Sequence, residues 1–259
     1  TIAANVALAQ QKVVQVGECK SDEEIFVLRA RRMKLPVGTE DVKDVLNAQL
    51  KAGGLGYDFD ALSRRGFAEA PASYRRYEKA GFKTPTGKIE LYATRFEKVG
   101  SAPLPSYEEP PESPLSAPEV AKEFPLVLTT GGRIPYYFNS EHRQLENLRK
   151  AYREPRAEIH PETAARHGIA NGDWMWIETR RGRIRQRAKL SDGIDPRVVN
   201  AEHGWWFPDE PGPEYGIWTS NVNVLTDNGP PYDPQMGTYQ LRGLLCRVGK
   251  AQGVSRRQS

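Results

Sequence analysis

A glycine pair flanked by hydroxyl and guanidinium groups is the part of this sequence best suited to binding chemistry. An apolar run after Phe124 predicts a short strand, and the loop after it reads Thr129-Thr130-Gly131-Gly132-Arg133. Glycines let backbone N–H groups approach a phosphate closely, threonines add hydroxyl donors, and the arginine adds a charged fork. The pattern predicts an anion-binding loop, and an ordinary turn is the alternative.

The histidines and cysteines argue against a metal centre built by this chain alone. The four histidines, at 142, 160, 167 and 203, lack HxxxH or HxH spacing, and Cys19 and Cys246 lie far apart without CxxC spacing. This excludes an iron–sulfur or zinc–thiolate site made from these residues. We therefore predict no metal ligand and no catalytic residue here, and expect His160 and His167 to act as polar caps at helix ends.

Two further stretches carry ring and amide groups. In His203-Gly204-Trp205-Trp206-Phe207 the adjacent tryptophans would point to opposite sides, either into a core or along a flat ligand that the glycine lets approach. Asn221-Val-Asn223-Val-Leu-Thr226 predicts a strand with both amides on one face. Carboxamides donate and accept at once, as a pterin or guanine edge requires, and turn capping is the alternative.

The elements that must position these residues change character along the chain. Ser21 and Glu24 predict a capping box that opens an amphipathic helix, and a second helix is predicted between Thr39 and Gly53. Six prolines between 101 and 123 predict an extended surface linker. We thus expect a helical α/β segment at 1–100, a linker at 101–123, a β domain at 124–250 and a tail at 251–259.

Short strands and turns dominate after the linker. A brief helix is predicted over 161–168, and Trp174–Thr179 predicts a strand that continues into a hairpin. The return strand alternates apolar residues with Arg183, Arg185, Arg187 and Lys189. This basic row has no interleaved aromatics, so a solvated strand or a face against another polypeptide is favoured over nucleic-acid binding.

Bulk properties exclude several classes of protein. The chain has 259 residues, with 37 Lys and Arg against 33 Asp and Glu, so its formal net charge is +4. Its acidic residues are too numerous for a nucleic-acid arm, and no apolar run approaches the ~20 residues that cross a bilayer. We expect a soluble protein whose mildly basic charge suits an anionic ligand.

The order of the motifs resembles the C-terminal region of catalytic subunits of molybdopterin oxidoreductases, the dimethyl-sulfoxide-reductase family. It is closest in texture to the branches around acetylene hydratase, formate dehydrogenases and thiosulfate or polysulfide reductases. The stretches that carry the resemblance, in chain order, are 129–133, 141–144, 158–162, 167–173, 177–182, 203–207 and 221–225. Residues 16–22 and 81–92 agree with segments that precede this region, so the resemblance covers nearly the whole chain.

The resemblance implies an α+β, mainly β fold: an N-terminal α/β segment, then a six-stranded double-psi β-barrel that binds molybdopterin dinucleotide. It implies a bis(molybdopterin guanine dinucleotide) cofactor with molybdenum or tungsten. The residues that it implies for cofactor binding are Thr129, Thr130, Gly131, Gly132, Arg133, His142, Arg143, His203, Gly204, Trp205, Asn221, Asn223, Gln240 and Arg242.

The family's metal ligand and iron–sulfur cysteines lie upstream of any segment matched here, and the cluster is expected in that missing part. The resemblance therefore implies a C-terminal portion of a catalytic subunit, present as a fragment, a cleaved piece or a separately encoded part. Its implied partners are the remainder of that subunit and an electron-transfer iron–sulfur subunit, with no nucleic acid and no direct membrane insertion.

The implied activity is two-electron redox chemistry on a small substrate. The alternatives are a non-redox hydratase of the same family, a metal-free β-barrel that acts as a binding or scaffold module, and a nucleic-acid binder that uses the basic strand.

Overall fold

The computed structural model describes residues 2–3, 6–9, 12–36, 38–69, 74–233 and 235–251. By its contacts the chain forms two compact units, 1–91 and 92–259. The domain boundaries expected from the sequence remain predictions.

The first unit combines a small sheet with short helices. Its strands β1 to β3 form an antiparallel sheet in chain order, and its helices are α1 to α4. The bounds of these elements are Ile2–Ala3 (β1), Val6–Leu8 (β2), Asp22–Arg32 (α1), Val42–Ala52 (α2), Phe59–Arg65 (α3), Phe67–Glu69 (β3) and Tyr77–Ala80 (α4).

Local capping explains where the two longer helices begin. The Ser21 hydroxyl accepts from the Glu24 amide, and the Glu24 carboxylate accepts from the Ser21 amide, so the predicted capping box of α1 is confirmed. Asp41 caps α2 through the Lys43 amide, and Gly53 follows its last turn, as predicted. The core of this unit is small, and Leu50 and Leu62 are its largest fully buried side chains.

The second unit is a closed barrel with short helices around it. The bounds of its elements are Thr94–Lys98 (α5), Pro118–Glu123 (α6), Leu126–Gly132 (β4), Glu146–Ala151 (α7), Arg156–Ile159 (β5), Pro161–Arg166 (α8), Trp174–Thr179 (β6), Gly182–Leu190 (β7), Val198–Glu202 (β8), Ile217–Ser220 (α9), a 3₁₀ turn at Val222–Leu225, and Leu244–Lys250 (β9).

The barrel strands follow the order β4-β8-β5-β7-β6-β9 and close between β9 and β4. The pairs β4/β8 and β5/β7 are parallel and the others are antiparallel. Inward residues of every strand meet in one core, in which Leu128, Met175 and Ile184 are among the fully buried side chains. The expectation of a six-stranded barrel after an α/β segment is confirmed.

The β6–β7 hairpin forms as predicted. Thr179 pairs with Gly182, so the turn consists of Arg180 and Arg181 alone. Gly182 is required by packing, because a β-carbon there would lie 2.8 Å from the Val224 carbonyl oxygen. The inward face of β7 contains Gln186, which is fully buried and exchanges hydrogen bonds with the backbone N–H and C=O of Glu202.

The proline-rich segment is not simply an extended surface linker. Residues Pro118–Glu123 form α6, because proline is tolerated in the first turn of a helix. Glu112 is buried with its side chain only 5 % exposed. Its carboxylate accepts from Arg180 and Arg181 at 3.0 Å each and from the backbone N–H of Leu245 at 3.1 Å.

The prediction of a strand over Asn221–Thr226 is wrong. Residues Val222–Leu225 form a 3₁₀ turn in which Val222 and Leu225, three residues apart, are both buried. The Asn221 side chain accepts from the Asn223 amide at 3.0 Å, and this local bond competes with a strand ladder. Asn221 therefore caps a turn, which is the alternative interpretation.

Candidate functional site at the end of strand β4

Strand β4 continues through the glycine pair, so these glycines lie in a strand rather than in the predicted loop. The pairing with β8 is irregular between Thr129 and Gly132, which marks a bulge. A β-carbon on Gly132 would lie 3.0 Å from the Ala201 carbonyl oxygen. Glycine is therefore needed here for the close approach of the β8 backbone.

Gly131 makes room for an arginine from the far end of the chain. A β-carbon on Gly131 would lie 3.1 Å from both Cζ and Nη2 of Arg242. Thr130 holds the neighbouring backbone, since its hydroxyl donates to the Leu241 carbonyl at 2.6 Å. Arg242 is exposed and makes no hydrogen bond or ion pair to another described residue.

His203 bridges the strand end and the loop that follows β4. Its Nδ1 lies 2.9 Å from the Gly132 carbonyl, which only accepts, so Nδ1 carries a proton. Its Nε2 lies 3.1 Å from Oδ1 of Asn139. The Nδ1 hydrogen bond thus holds the imidazole against the end of β4, and Nε2 faces the Asn139 amide group.

The backbones of Asn139 and Gly204 lie in close contact beside His203. Gly204 has φ +71°, and a β-carbon on it would lie 3.0 Å from the Asn139 carbonyl oxygen. Asn139 itself has φ 53°, in the left-handed region that asparagine tolerates better than most residues. The close approach predicted at Gly204 is therefore an approach of protein backbone.

Arg143 is a buried cation with incomplete hydrogen bonding. It is 1 % exposed, and its guanidinium lies 4.6 Å from the Tyr137 ring centroid and 4.4 Å from that of Trp205. Nη2 donates to the His203 carbonyl at 3.2 Å, whereas Nε and Nη1 are buried without a partner among the described residues. Burial lowers the pKa of Arg143 to about 10.

The two tryptophans point to opposite sides, as predicted. Trp205 is 2 % exposed and packs in a small core with Ile134 and Tyr137. Trp206 faces away from that core and donates from its indole nitrogen to the Ser140 carbonyl at 2.6 Å. Trp205 therefore packs in a core, which is one of the two roles that the sequence left open.

A partly buried carboxylate that the sequence analysis did not identify supports this region. Glu202 accepts from the Tyr152 hydroxyl, from Nε1 of Trp205 at 3.1 Å and from the Arg156 amide at 2.9 Å. Burial raises the pKa of Glu202, and burial together with this hydrogen bond raises the pKa of Tyr152. Asn139 was also missed, although asparagine is one of the few residues that favour positive φ.

The remaining predicted residues lie in varied surroundings. The Thr129 hydroxyl donates to Asn200 at 2.8 Å, and the Gln240 amide group exchanges hydrogen bonds with the Glu112 backbone at 2.9 Å. Asn221 donates to the Trp205 carbonyl at 3.2 Å, which connects it to the buried core. Asn223 and His142 have exposed side chains.

Contacts link half of the predicted residues into one continuous set. We call this set the β4-end cluster, and its members are Gly131, Gly132, Arg133, Arg143, His203, Gly204 and Arg242. A cavity of 290 Å³ beside it is lined by Arg133, Tyr137, Asn139 and His203, among others. Arg133, like Arg242, makes no hydrogen bond or ion pair within the described part of the chain.

The cluster can bind an anion but shows no metal-binding geometry. Among the described residues, no three His, Cys, Asp or Glu side chains are placed to hold a metal ion. The same residues include no helix that is long and apolar enough to span a bilayer. What converges is a set of arginines and backbone groups, which suits phosphate or another oxyanion.

Comparison with known proteins explains this arrangement. Residues 126–245 match the family model of the molydopterin dinucleotide binding domain. The barrel is a molydopterin dinucleotide-binding domain. Together with this domain, the dimethyl sulfoxide/trimethylamine N-oxide reductases among the relatives confirm the resemblance to the dimethyl-sulfoxide-reductase family.

Curated relatives extend the match beyond the barrel. The chain is 36 % identical to acetylene hydratase from Syntrophotalea acetylenica over 93 % of its own length and 34 % of the relative. It is 33 % identical to a dimethyl sulfoxide/trimethylamine N-oxide reductase from Rhodobacter capsulatus, over 85 % of the chain and 30 % of the relative. A dopamine dehydroxylase from Eggerthella lenta is 45 % identical over 67 % of the chain and 17 % of the relative.

A solved structure gives the same result. Acetylene hydratase from Pelobacter acetylenicus matches with a TM-score of 0.79 and 31 % identity, over 95 % of this chain and 35 % of that one. The chain spans between 17 % and 34 % of the length of these curated relatives. Molybdopterin dinucleotide binding is a property of this domain, and the relatives include both redox and hydratase enzymes.

Proposed function

We propose that this chain is the cofactor-binding C-terminal part of a molybdenum- or tungsten-dependent catalytic subunit that performs two-electron redox chemistry on a small substrate. The cofactor is bis(molybdopterin guanine dinucleotide), and the binding domain extends over 124–250. The observation that carries the proposal is that Arg133 and Arg242 lie beside the glycine pair without an anionic partner among the described residues.

The residues of the β4-end cluster fit such a group chemically. Molybdopterin guanine dinucleotide is a phosphate-containing anion, and guanidinium forks are the side chains best matched to phosphate. An exposed, unpaired cation costs little free energy. Arg143, in contrast, keeps two buried nitrogens without partners among the described residues, and this costs free energy that is tolerated where function requires it. The cluster thus has hydrogen-bond donors without acceptors, and it contains no carboxylate.

We assign each group a role in binding rather than in bond making. Arg133 and Arg242 neutralise phosphate charge, and Arg143 supports the loop from below through its bond to the His203 carbonyl. His203, hydrogen-bonded through Nδ1 to the Gly132 carbonyl, sets the position of the strand end. The bound cofactor supplies a molybdenum or tungsten centre for two-electron chemistry, while this chain holds and orients it.

The other predicted residues are proposed as secondary contacts. The exposed amide of Asn223 is available for a pterin or guanine edge, and His142 is available at the adjoining loop. We propose that Thr129, Thr130, Trp205, Asn221 and Gln240 act indirectly, because their polar groups already bond within the protein.

Redox chemistry is supported by the reductase and dehydroxylase relatives, and a non-redox hydratase is the second candidate. The second candidate rests on acetylene hydratase, to which the chain is similar over 93 % of its length. We propose that the remainder of the catalytic subunit supplies the metal ligand and an iron–sulfur cluster, and that an iron–sulfur subunit is the electron partner.

The test is the cofactor content of the natively purified protein with its accompanying polypeptides. Molybdenum, tungsten and iron are measured by elemental analysis, and guanine nucleotide is measured after denaturation. The variant Arg133→Gln/Arg242→Gln is compared with Arg183→Gln/Arg185→Gln, which removes two arginines from the hairpin instead.

We expect cofactor content to fall at least tenfold in the first variant and to stay near wild type in the second. Wild-type protein that contains neither metal nor guanine nucleotide, or equal content in both variants, would contradict the proposal. Assays with an electron donor and with an alkyne then separate reductase from hydratase.

A further inference from the structure

A second group of cations lines a cavity on the outside of the barrel. The cavity has a volume of 560 Å³, and its lining shares no residue with the 290 Å³ cavity beside the β4-end cluster. Five cationic side chains and one carboxylate line it. They are Lys150, Arg153, Arg156, Arg187, Lys189 and Glu154.

Three of these cations have acidic partners. Arg187 binds Glu154 through two hydrogen bonds of 2.9 and 3.1 Å, so the carboxylate of the lining is already used. Lys189 pairs with Glu158 at 2.8 Å, and Lys150 pairs with Glu146 at 3.1 Å. After these pairs are counted, the lining still has a net positive charge.

Arg153 and Arg156 supply this net positive charge. Neither has a carboxylate within ion-pair distance in the described ranges. The guanidinium of Arg156 lies 4.4 Å from the ring centroid of Tyr152, which orients it without neutralising it. Both side chains are exposed, so an incoming anion can reach them.

The cavity is built on rigid backbone. Arg156 and Arg187 are register partners on the parallel strands β5 and β7. The Arg187 amide donates to the Pro155 carbonyl at 2.8 Å, and its Nη1 donates to the Gly172 carbonyl at 3.0 Å. The cations therefore keep their arrangement before any ligand arrives.

We propose that this cavity binds a small molecule that carries a phosphate or diphosphate group. Two unpaired guanidinium groups and nearby ammonium groups match the charge and the multiple acceptor oxygens of such a group. The volume lies within the range of small-molecule sites and exceeds what one phosphate fills, so part of an organic moiety fits as well. The concave shape suits a small ligand better than the flat face of a macromolecule.

Inorganic pyrophosphate is the probe, titrated calorimetrically into the natively purified protein. Variant Arg153→Gln/Arg156→Gln removes the unpaired cations, and Arg153→Gln alone is a milder change. The matched control Arg183→Gln/Arg185→Gln removes two arginines of the hairpin that do not line this cavity. Citrate, a carboxylate of similar charge, is titrated in parallel.

We expect saturable binding that weakens at least tenfold in the Arg153→Gln/Arg156→Gln protein, by less in Arg153→Gln, and less than twofold in the control. Citrate should bind at least tenfold more weakly than pyrophosphate. The proposal is overturned if wild-type protein shows no saturable binding, if the control loses binding as much as the test variant, or if citrate binds equally well.

Discussion

The arginines of the β6–β7 hairpin and those of the β4-end cluster differ in what surrounds them. On the hairpin, Arg180 and Arg181 bind the buried Glu112, and Arg187 binds Glu154. Arg183 lies 4.7 Å from the ring centroid of Trp176, and Arg185 lies 5.1 Å from that of Trp174. In the β4-end cluster, Arg133 and Arg242 have no such partner among the described residues.

We infer that the difference separates structural from ligand-binding arginines. The hairpin has the more conspicuous basic pattern in the sequence, but its arginines contact carboxylates or the tryptophan rings of the neighbouring strand, although Nε of Arg185 is buried without a hydrogen-bond partner among the described residues. The β4-end cluster has fewer arginines but leaves Arg133 and Arg242 exposed with neither kind of partner among the described residues. Exposed guanidinium groups without a protein partner, rather than the density of positive charge, carry our assignment of the binding site.

The largest effect on stability is expected where the hairpin turn is anchored. Glu112→Gln removes a buried carboxylate that holds Arg180, Arg181 and the Leu245 amide, so the free energy of unfolding should fall by about 2–4 kcal/mol. Tryptophan fluorescence in a denaturant titration reports the barrel unit, because all five tryptophans lie after residue 92.

Glu119→Gln is the control for this change. Its exposed pair with Lys122 should contribute less than about 0.5 kcal/mol. Equal denaturation midpoints for the two variants would show that Glu112 does not anchor the hairpin.

Two strand glycines, Gly132 of the β4-end cluster and Gly249 of β9, should respond in opposite ways to alanine. Gly132→Ala places a β-carbon 3.0 Å from the β8 backbone, so we expect a loss of roughly 1–3 kcal/mol. Gly249 in β9 has no heavy atom within 4 Å of such a β-carbon. Gly249→Ala should therefore leave stability unchanged or raise it by about 0.5 kcal/mol. Thermal unfolding of both proteins measures the contrast, and similar losses would refute it.

Glu202 should make a contribution to stability beside the β4-end cluster that depends on pH. Its pKa is raised in the folded state, so its contribution to stability is fully present below 4.5, its ordinary value, and is lost as pH rises through the raised value. Each unit of upward shift corresponds to about 1.4 kcal/mol.

The measurement compares wild type with Glu202→Gln by denaturation at pH 4.5, 6 and 8. The stability of wild type relative to the variant should decrease from pH 4.5 to pH 8. A difference that does not change with pH would mean that the partly buried carboxylate does not titrate in this range.

The smallest stability effects should come from single arginines. Arg187→Gln loses the two-bonded contact with Glu154 and should cost about 1 kcal/mol. Arg242→Gln should change stability by less than about 0.5 kcal/mol, because no intramolecular partner is lost. If Arg242→Gln were the more damaging of the two, then Arg242 would be a structural residue and the contrast between the regions would not hold.

Features governed by neighbouring residues could be predicted from the sequence. The capping box at Ser21 and the β6–β7 hairpin depend on groups a few residues apart, and both formed as expected. The Asn221–Leu225 stretch misled because its apolar residues fit a period of two as well as one of three. The side-chain bond of Asn221 to the Asn223 amide decides between them.

Features that depend on distant residues could not be predicted in the same way. The burial of Glu112 requires Arg180, Arg181 and Leu245, which are brought to it only by the closed barrel. Likewise, the sequence predicts Gly131 as part of an anion-binding loop, but its neighbour in space is Arg242. Family resemblance named both residues as cofactor contacts, whereas local pattern had no means of pairing them.

The two cysteines of the chain have opposite environments. Cys19 is exposed, whereas Cys246 is fully buried in β9, opposite Leu126 of β4, and burial raises the pKa of its thiol. A thiol reagent can therefore modify Cys246 only when β9 separates from its neighbours. The labelling rate of this sulfur measures how often the barrel seam opens, with Cys19 as the unprotected reference in the same molecule.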